Sequence, residues 1–160
     1  MSRILVVYFS RTGTTGRVAE QVAQALHGEA CAITEASSRL GPLGYVRSLW
    51  EASTGRDATI QPLRCDPSEA DLLVIGTPIW GWHLSSPVRS FVRRHRAAMR
   101  HCAFFCTQGG SGSEAAFAEL RQLAGQAPLA TLALSDAEVA DGSGRAKFDA
   151  FVATLREASE

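Results

Sequence analysis

The chain has 160 residues, with 16 Lys and Arg balanced by 16 Asp and Glu, and 46% of its side chains are hydrophobic. Such a length supports one domain with a core that needs no covalent staple, and the neutral balance leaves no global field to steer the protein to nucleic acid or a membrane surface. No apolar run approaches membrane-spanning length, and the N-terminal run is too short for a signal-peptide core, so the expected compartment is the cytoplasm.

In chain order, Ile4-Leu5-Val6-Val7-Tyr8-Phe9 comes first. It is apolar throughout and β-branched at three positions, the pattern of a strand buried on both faces in a parallel sheet. It empties into Ser10-Arg11-Thr12-Gly13-Thr14-Thr15, and apolar Val18, Val22 and Leu26, four apart, mark a helix after it. The first-turn N–H groups of such a helix lack partners within the helix, and its dipole favours an anion there. Four hydroxyls around Gly13 are more than an ordinary N-cap requires, and the glycine lets a ligand approach the backbone. Arg11 is a further candidate contact. The expected ligand group is a phosphate.

Its kind can be narrowed. A triphosphate loop requires Gly-x4-Gly-Lys-Ser/Thr, but the only lysine is Lys147, and the Gly-x-Gly-x-x-Gly dinucleotide fingerprint is absent. Hydroxyls without lysine suit one terminal phosphomonoester that is held and not transferred.

A weaker second strand is expected near Ala30–Thr34, then a connection of about 35 residues, Glu35–Ala70, longer than a single crossover helix needs. Tyr45, Leu49 and Trp50 form one helical face within it, with Trp50 expected in the core and an irregular return over Thr54–Pro67. The third strand is Asp71–Gly76. A helix after Pro87, with Ser86 as its N-cap, places Val88, Phe91, Val92, His95 and Met99 on its apolar face. His95 is expected in the core, and Arg89, Arg93, Arg94, Arg96 and Arg100 on a solvated face. A strand at His101–Thr107, a helix from Ser113, a strand near Pro128–Leu134 and a helix with Phe148, Phe151, Val152 and Leu155 complete the alternation. Five strands with intervening helices predict an α/β fold, a single doubly wound parallel sheet.

Ligands of such sheets bind beyond the carboxyl ends of the strands, so the loops after strands three and four are expected to join the first. The earlier of these, Thr77-Pro78-Ile79-Trp80-Gly81-Trp82-His83, holds two of the three tryptophans; Trp80 at a strand end is read as a stacking platform for a planar ring. His83 is a weak candidate for proton transfer. The later loop, Thr107-Gln108-Gly109-Gly110-Ser111-Gly112, permits close approach of a flat ligand to its backbone. The cysteines, Cys31, Cys65, Cys102 and Cys106, show neither Cys-x-x-Cys nor zinc spacing and are expected to be buried and reduced.

The first loop closely resembles the phosphate loop of flavodoxin-like FMN proteins: Val6, Val7, Tyr8, Ser10, Gly13, Thr15, Ala19 and Val22 fill every slot of that pattern. The Trp80-Gly81 step resembles the family's aromatic-glycine step, where a peptide turns its carbonyl toward the flavin N5 on reduction. The resemblance implies a single flavodoxin-like domain over 1–160, strand order 2-1-3-4-5, and FMN held by the three loops. Carriers of this family place an aromatic residue in the loop after strand four and are strongly acidic; neither holds here. One flavin face is then left to Trp82, the long connection, a substrate or a second subunit of a homodimer. The resemblance therefore favours a small FMN-dependent oxidoreductase, taking electrons from NAD(P)H or a reductase and passing them to a quinone-like molecule or redox protein. The alternatives are a one-electron carrier and a flavin-free interaction scaffold. A phosphoacceptor receiver domain is excluded: its acidic cluster, its Asp after strand three and its Lys after strand five are all missing.

Overall fold

The computed structural model describes residues 2–35, 41–54 and 58–160, with side chains for all of these but 52–54. Parts of the Glu35–Ala70 connection and of its irregular return, 36–40 and 55–57, lie outside the described residues. In chain order the elements are β1 Ile4–Tyr8, α1 Thr14–Leu26, β2 Glu29–Ala32, α2 Gly41–Thr54, β3 Leu72–Trp80, β4 His83–Leu84, α3 Ser86–His95, β5 His101–Gln108, α4 Ser113–Ala124, β6 Thr131–Ser135, α5 Asp136–Asp141 and α6 Arg145–Ala158.

Five strands pair in parallel in the order β2-β1-β3-β5-β6. This is the expected 2-1-3-4-5 sheet. The sequence reading lacked only β4, a two-residue strand that folds antiparallel onto the end of β3, too short to show a period. β3 also runs through Thr77, Pro78 and Ile79 to Trp80, which were expected as loop.

Strand alternation explains the layers. Leu5 and Val7, Leu73 and Ile75, and Cys102 and Phe104 enter one core with Val88, Phe91 and Leu120. Ile4 and Val6, Leu72 and Val74, and Ala103 and Phe105 enter the other with Val18, Val22, Phe148 and Phe151. Both faces of the sheet are thus covered, as a parallel sheet requires. Gly76 lies in register with Phe105, and a Cβ there would stand 2.1 Å from that ring. β1 leads outward to β2 while β3 returns on β1's other side, so strand order reverses between β1 and β3. Their carboxyl ends are where a ligand is expected. Among the described residues, no helix is long and apolar enough to cross a membrane.

Four expectations are corrected. Cys31 and Cys65 are joined in a disulfide, whereas Cys102 and Cys106 are buried and free; 34 residues separate the first pair, a distance spacing rules do not see. Trp50 is 51% exposed: α2 turns Leu43, Val46 and Trp50 outward and buries Gly44, Ser48 and Glu51 instead. Arg89, expected on a solvated face, is 1% exposed. Its Nε and Nη2 donate to Glu119 Oε2 at 3.1 and 2.9 Å, and its Nη1 to the Glu51 carbonyl at 3.4 Å, so a buried charge is paired, the condition on which burial is tolerated. Finally, the N-cap of α3 is Ser85, one residue before the expected Ser86. His95 ends that helix half-buried, its ring 4.9 Å from Phe91, and burial lowers its pKa, with Arg94 adding to the effect.

Candidate functional site

A cavity of about 270 Å3 opens at the carboxyl ends of β1, β3 and β5. Arg11, Thr12, Thr14 and Thr15 line it from the first loop, Pro78, Ile79 and Trp80 from the second, and Thr107, Gln108 and Gly109 from the third. Three segments separated by some 60 and 30 residues of chain thus meet around one space, as the sheet topology demands.

The first loop presents groups that can bind an anion. Gly13 is the N-cap of α1 with φ +100°, no side chain caps the helix, and a Cβ on Gly13 would meet nothing within 4 Å. The first-turn amides and the Thr12 and Thr14 hydroxyls are therefore left to a ligand. Ser10 does not line the cavity; its Oγ accepts from Gly13 N at 3.0 Å and shapes the turn. Thr15 is 2% exposed, and its hydroxyl pairs with that of Thr107 at 2.7 Å. Of the four hydroxyls expected to face a phosphate, those of Thr12 and Thr14 line the cavity without a hydrogen bond to another described residue.

The second loop is a hairpin. Thr77 is buried, and its Oγ1 donates to the Pro78 carbonyl at 2.8 Å and accepts from Ser85 N at 3.1 Å, closing the hairpin base. Trp80 corrects the stacking-platform expectation: it is 5% exposed and packs edge-on to Phe9 at 5.6 Å between centroids. The residue belongs to the core and also lines the cavity. The exposed indole is that of Trp82, 66% accessible, at a turn where Gly81 and Trp82 have φ +55° and +66°.

Trp82 Nε1 donates to Ser111 Oγ at 3.0 Å, which clasps the hairpin to the third loop. Gly112 permits that contact, since a Cβ there would stand 2.8 Å from Trp82 Cα. Gly109 and Gly110 face open space, and Gln108 Oε1 accepts from Ser113 N at 3.1 Å. Trp82, Gly110, Ser111 and Gly112 line a second, more open depression of about 500 Å3 that shares Gln108 with the first cavity. His83 lines neither; its Nδ1 lies 3.9 Å from Glu119 Oε1, a buried oxygen without a hydrogen-bond partner among the described residues.

Two cavity residues escaped the sequence reading. Tyr45 comes from α2, with Arg11 Cζ 5.4 Å from its ring centroid. Asp136 follows β6, beside Gln108 because Ser135 and Gln108 are in register. The carboxyl-end rule, applied to the fifth parallel strand as well as the third and fourth, points to Asp136. Nothing in the period of α2 singles out Tyr45.

An open-faced, hydroxyl-lined phosphate loop beside two glycine-bearing walls, at the switch point of this sheet, defines a flavodoxin-like flavoprotein. Residues 2–146 match the family of NADPH-dependent FMN reductases, and the chain belongs to that family; its cofactor is FMN. Solved structures agree on the fold. A flavoprotein from Lactobacillus acidophilus in complex with FMN superposes with a TM-score of 0.73 at 21% identity, over 89% of this chain and 99% of its own. A flavoprotein from Bacteroides uniformis gives 0.72 at 27% identity, over 84% and 90%. An NADH:FMN oxidoreductase gives 0.64 at 14% identity, over 100% and 91%. No curated protein matches the chain.

Proposed function

We propose that this FMN-dependent, NAD(P)H-oxidising reductase holds its cofactor in the cavity described and passes electrons to a quinone-like molecule or a redox protein. The observation that carries the placement is the convergence of Arg11, Thr12 and Thr14 with Pro78–Trp80 and Gln108–Gly109 on one space. The donor set suits one phosphomonoester: uncapped amides, the Thr12 and Thr14 hydroxyls and a guanidinium, without the lysine of a triphosphate loop.

Bound FMN supplies hydride acceptance at its N5 and one- or two-electron release; the protein supplies binding, orientation and electrostatics. Thr12, Thr14 and the start of α1 anchor the phosphate, with Arg11 neutralising charge. Pro78, Ile79 and Trp80 wall one side of the ring, and the backbone of Gln108 and Gly109 borders it. The Trp82–Ser111 clasp keeps the two walls at a fixed spacing. Tyr45 lines the same cavity from α2, and the loop after β5 carries no aromatic residue of the kind that seals a carrier's flavin, which favours a reductase. The expected homodimer finds support in the outward face of α2, where Leu43, Val46 and Trp50 are exposed at helical spacing.

The test is to titrate the flavin-free protein with FMN, following loss of flavin fluorescence, then add NADH or NADPH without oxygen. Quenching followed by bleaching of the flavin band supports the reading. No quenching overturns it, and quenching without bleaching by either nucleotide leaves a carrier supplied by a reductase.

A further inference from the structure

The chain leaves the sheet after β2 and returns before β3, and the disulfide Cys31–Cys65 ties the neck of that excursion. Beside it, Gln61 N donates to the Thr34 carbonyl at 2.8 Å and Glu35 bridges Ile60. The closed ring contains α2, and α2 brings Tyr45 to the flavin cavity under Arg11. At its far end α2 is fixed by Glu51, which accepts from Ser86 Oγ at 2.7 Å. The disulfide is thus a covalent fastener on the element that lines the cavity proposed for the cofactor.

The two sulfurs are unequally placed. Cys31 is 5% exposed at the edge of a depression of about 620 Å3, whereas Cys65 is partly exposed on another of about 310 Å3 that Asp66, Arg94 and His95 also line. A thiolate arriving from solvent therefore meets Cys65 first, with a guanidinium near its approach.

We propose that Cys31–Cys65 is a thiol-exchangeable disulfide whose state sets how tightly the protein holds FMN, through α2 and Tyr45. The proposal rests on the placement of FMN given above. The reductant is a dithiol. One of its thiolates attacks Cys65 Sγ, the Cys65–Cys31 bond breaks, and Cys31 leaves as a thiolate that takes up a proton. The second thiolate of the reductant then attacks its own sulfur in the mixed disulfide and releases Cys65, which is protonated in turn. The protein disulfide gains two electrons and two protons, and the dithiol becomes a disulfide. By linkage, whatever factor reduction takes from FMN affinity, bound FMN returns as preference for the oxidised pair.

The experiment equilibrates the flavin-free protein with reduced and oxidised dithiothreitol at graded ratios. Cysteines are then alkylated in the native fold and located by mass spectrometry, and the FMN dissociation constant is measured in each state. Without reductant Cys65 is not expected to react; with it, partly exposed Cys65 reacts while buried Cys31, Cys102 and Cys106 do not. FMN affinity falls about fivefold or more on reduction, the low end of ordinary coupling between sites, and saturating FMN shifts the reductant ratio at half-reduction by the same factor. Cys31→Ser/Cys65→Ser binds FMN like the reduced wild type at every ratio, and Tyr45→Ala removes the difference between states. A free thiol at Cys65 before reductant is added, or equal FMN affinities in the two states, overturns the proposal. A difference that survives in Tyr45→Ala overturns the route through that residue. If FMN quenches in neither state, the flavin placement falls and the affinity claim with it, while the alkylation pattern still decides whether the disulfide exchanges.

Discussion

The hydroxyls of Thr15 and Thr107, 92 residues apart in the chain, meet at 2.7 Å in the wall of the cavity and join the start of α1 to β5. Both residues are only 2% and 3% exposed, so a hydroxyl that loses its partner has little access to water. Thr15→Val keeps the shape and strands Thr107 Oγ1, at a cost of about 1–3 kcal/mol. Thr15→Val/Thr107→Val removes both partners, and its loss is expected to fall short of the two single losses added together. Urea unfolding of the four proteins closes the cycle; strict additivity would show that the contact carries no energy.

The phosphate reading is tested at the residue that is exposed and makes no internal bond to lose. Thr12 is exposed and lines the cavity. Thr12→Asp is expected to leave the thermal midpoint within about 1–2 °C, as surface changes do, and to weaken FMN at least tenfold by like-charge repulsion. Riboflavin, which lacks the phosphate, should bind wild type and variant within about twofold. Equal losses for both flavins would place the phosphate elsewhere.

The glycines of the third loop are not equivalent. Gly112 has φ +109°, and a Cβ there meets Trp82 Cα at 2.8 Å and Cδ1 at 2.9 Å. Gly112→Ala therefore combines backbone strain with a clash against backbone, about 2–4 kcal/mol together, and releases the Trp82–Ser111 bond. Gly109→Ala and Gly110→Ala add a methyl to open space, so stability of the flavin-free protein barely moves. Any effect at those two sites appears only as weaker FMN binding. Chemical denaturation beside FMN titration separates the two kinds of glycine.

What was legible in the sequence follows from how local each signal is. Ile4–Phe9 and Ser10–Thr15 lie within one strand-turn-helix unit, so residue type and spacing told both structure and ligand class. The sheet order needed only the alternation of elements and the resemblance of the loops. Trp80 was misplaced because β3 runs past Gly76 to residue 80, which turns the indole onto Phe9; an apolar strand with Pro78 near its end reads as finished too early. Arg89 sits on a helix crowded with arginines, and only its tertiary partner Glu119, 30 residues away, explains why it is inside. The Cys31–Cys65 bond and the arrival of Tyr45 depend on the path of a long connection, and no period in the sequence encodes that path.

The free cysteines carry a pH dependence whose sign is fixed by their burial. Desolvation raises the Cys102 thiol to about 11 and the Cys106 thiol to about 12, from an ordinary value of 9.0. In the unfolded chain both ionise near that ordinary value, while the native thiols keep their protons, so above it the native state binds more protons than the unfolded one. Their contribution to stability is fully present below pH 9.0 and is lost progressively as pH rises from there toward the native values of about 11 and 12. Urea midpoints measured from pH 8 upward should therefore decline beyond the ordinary thiol range, and the decline should be shallower in Cys102→Ala/Cys106→Ala, whatever that variant loses in packing. Parallel declines in the two proteins would show that the thiols are already ionised in the native fold or play no part in alkaline unfolding.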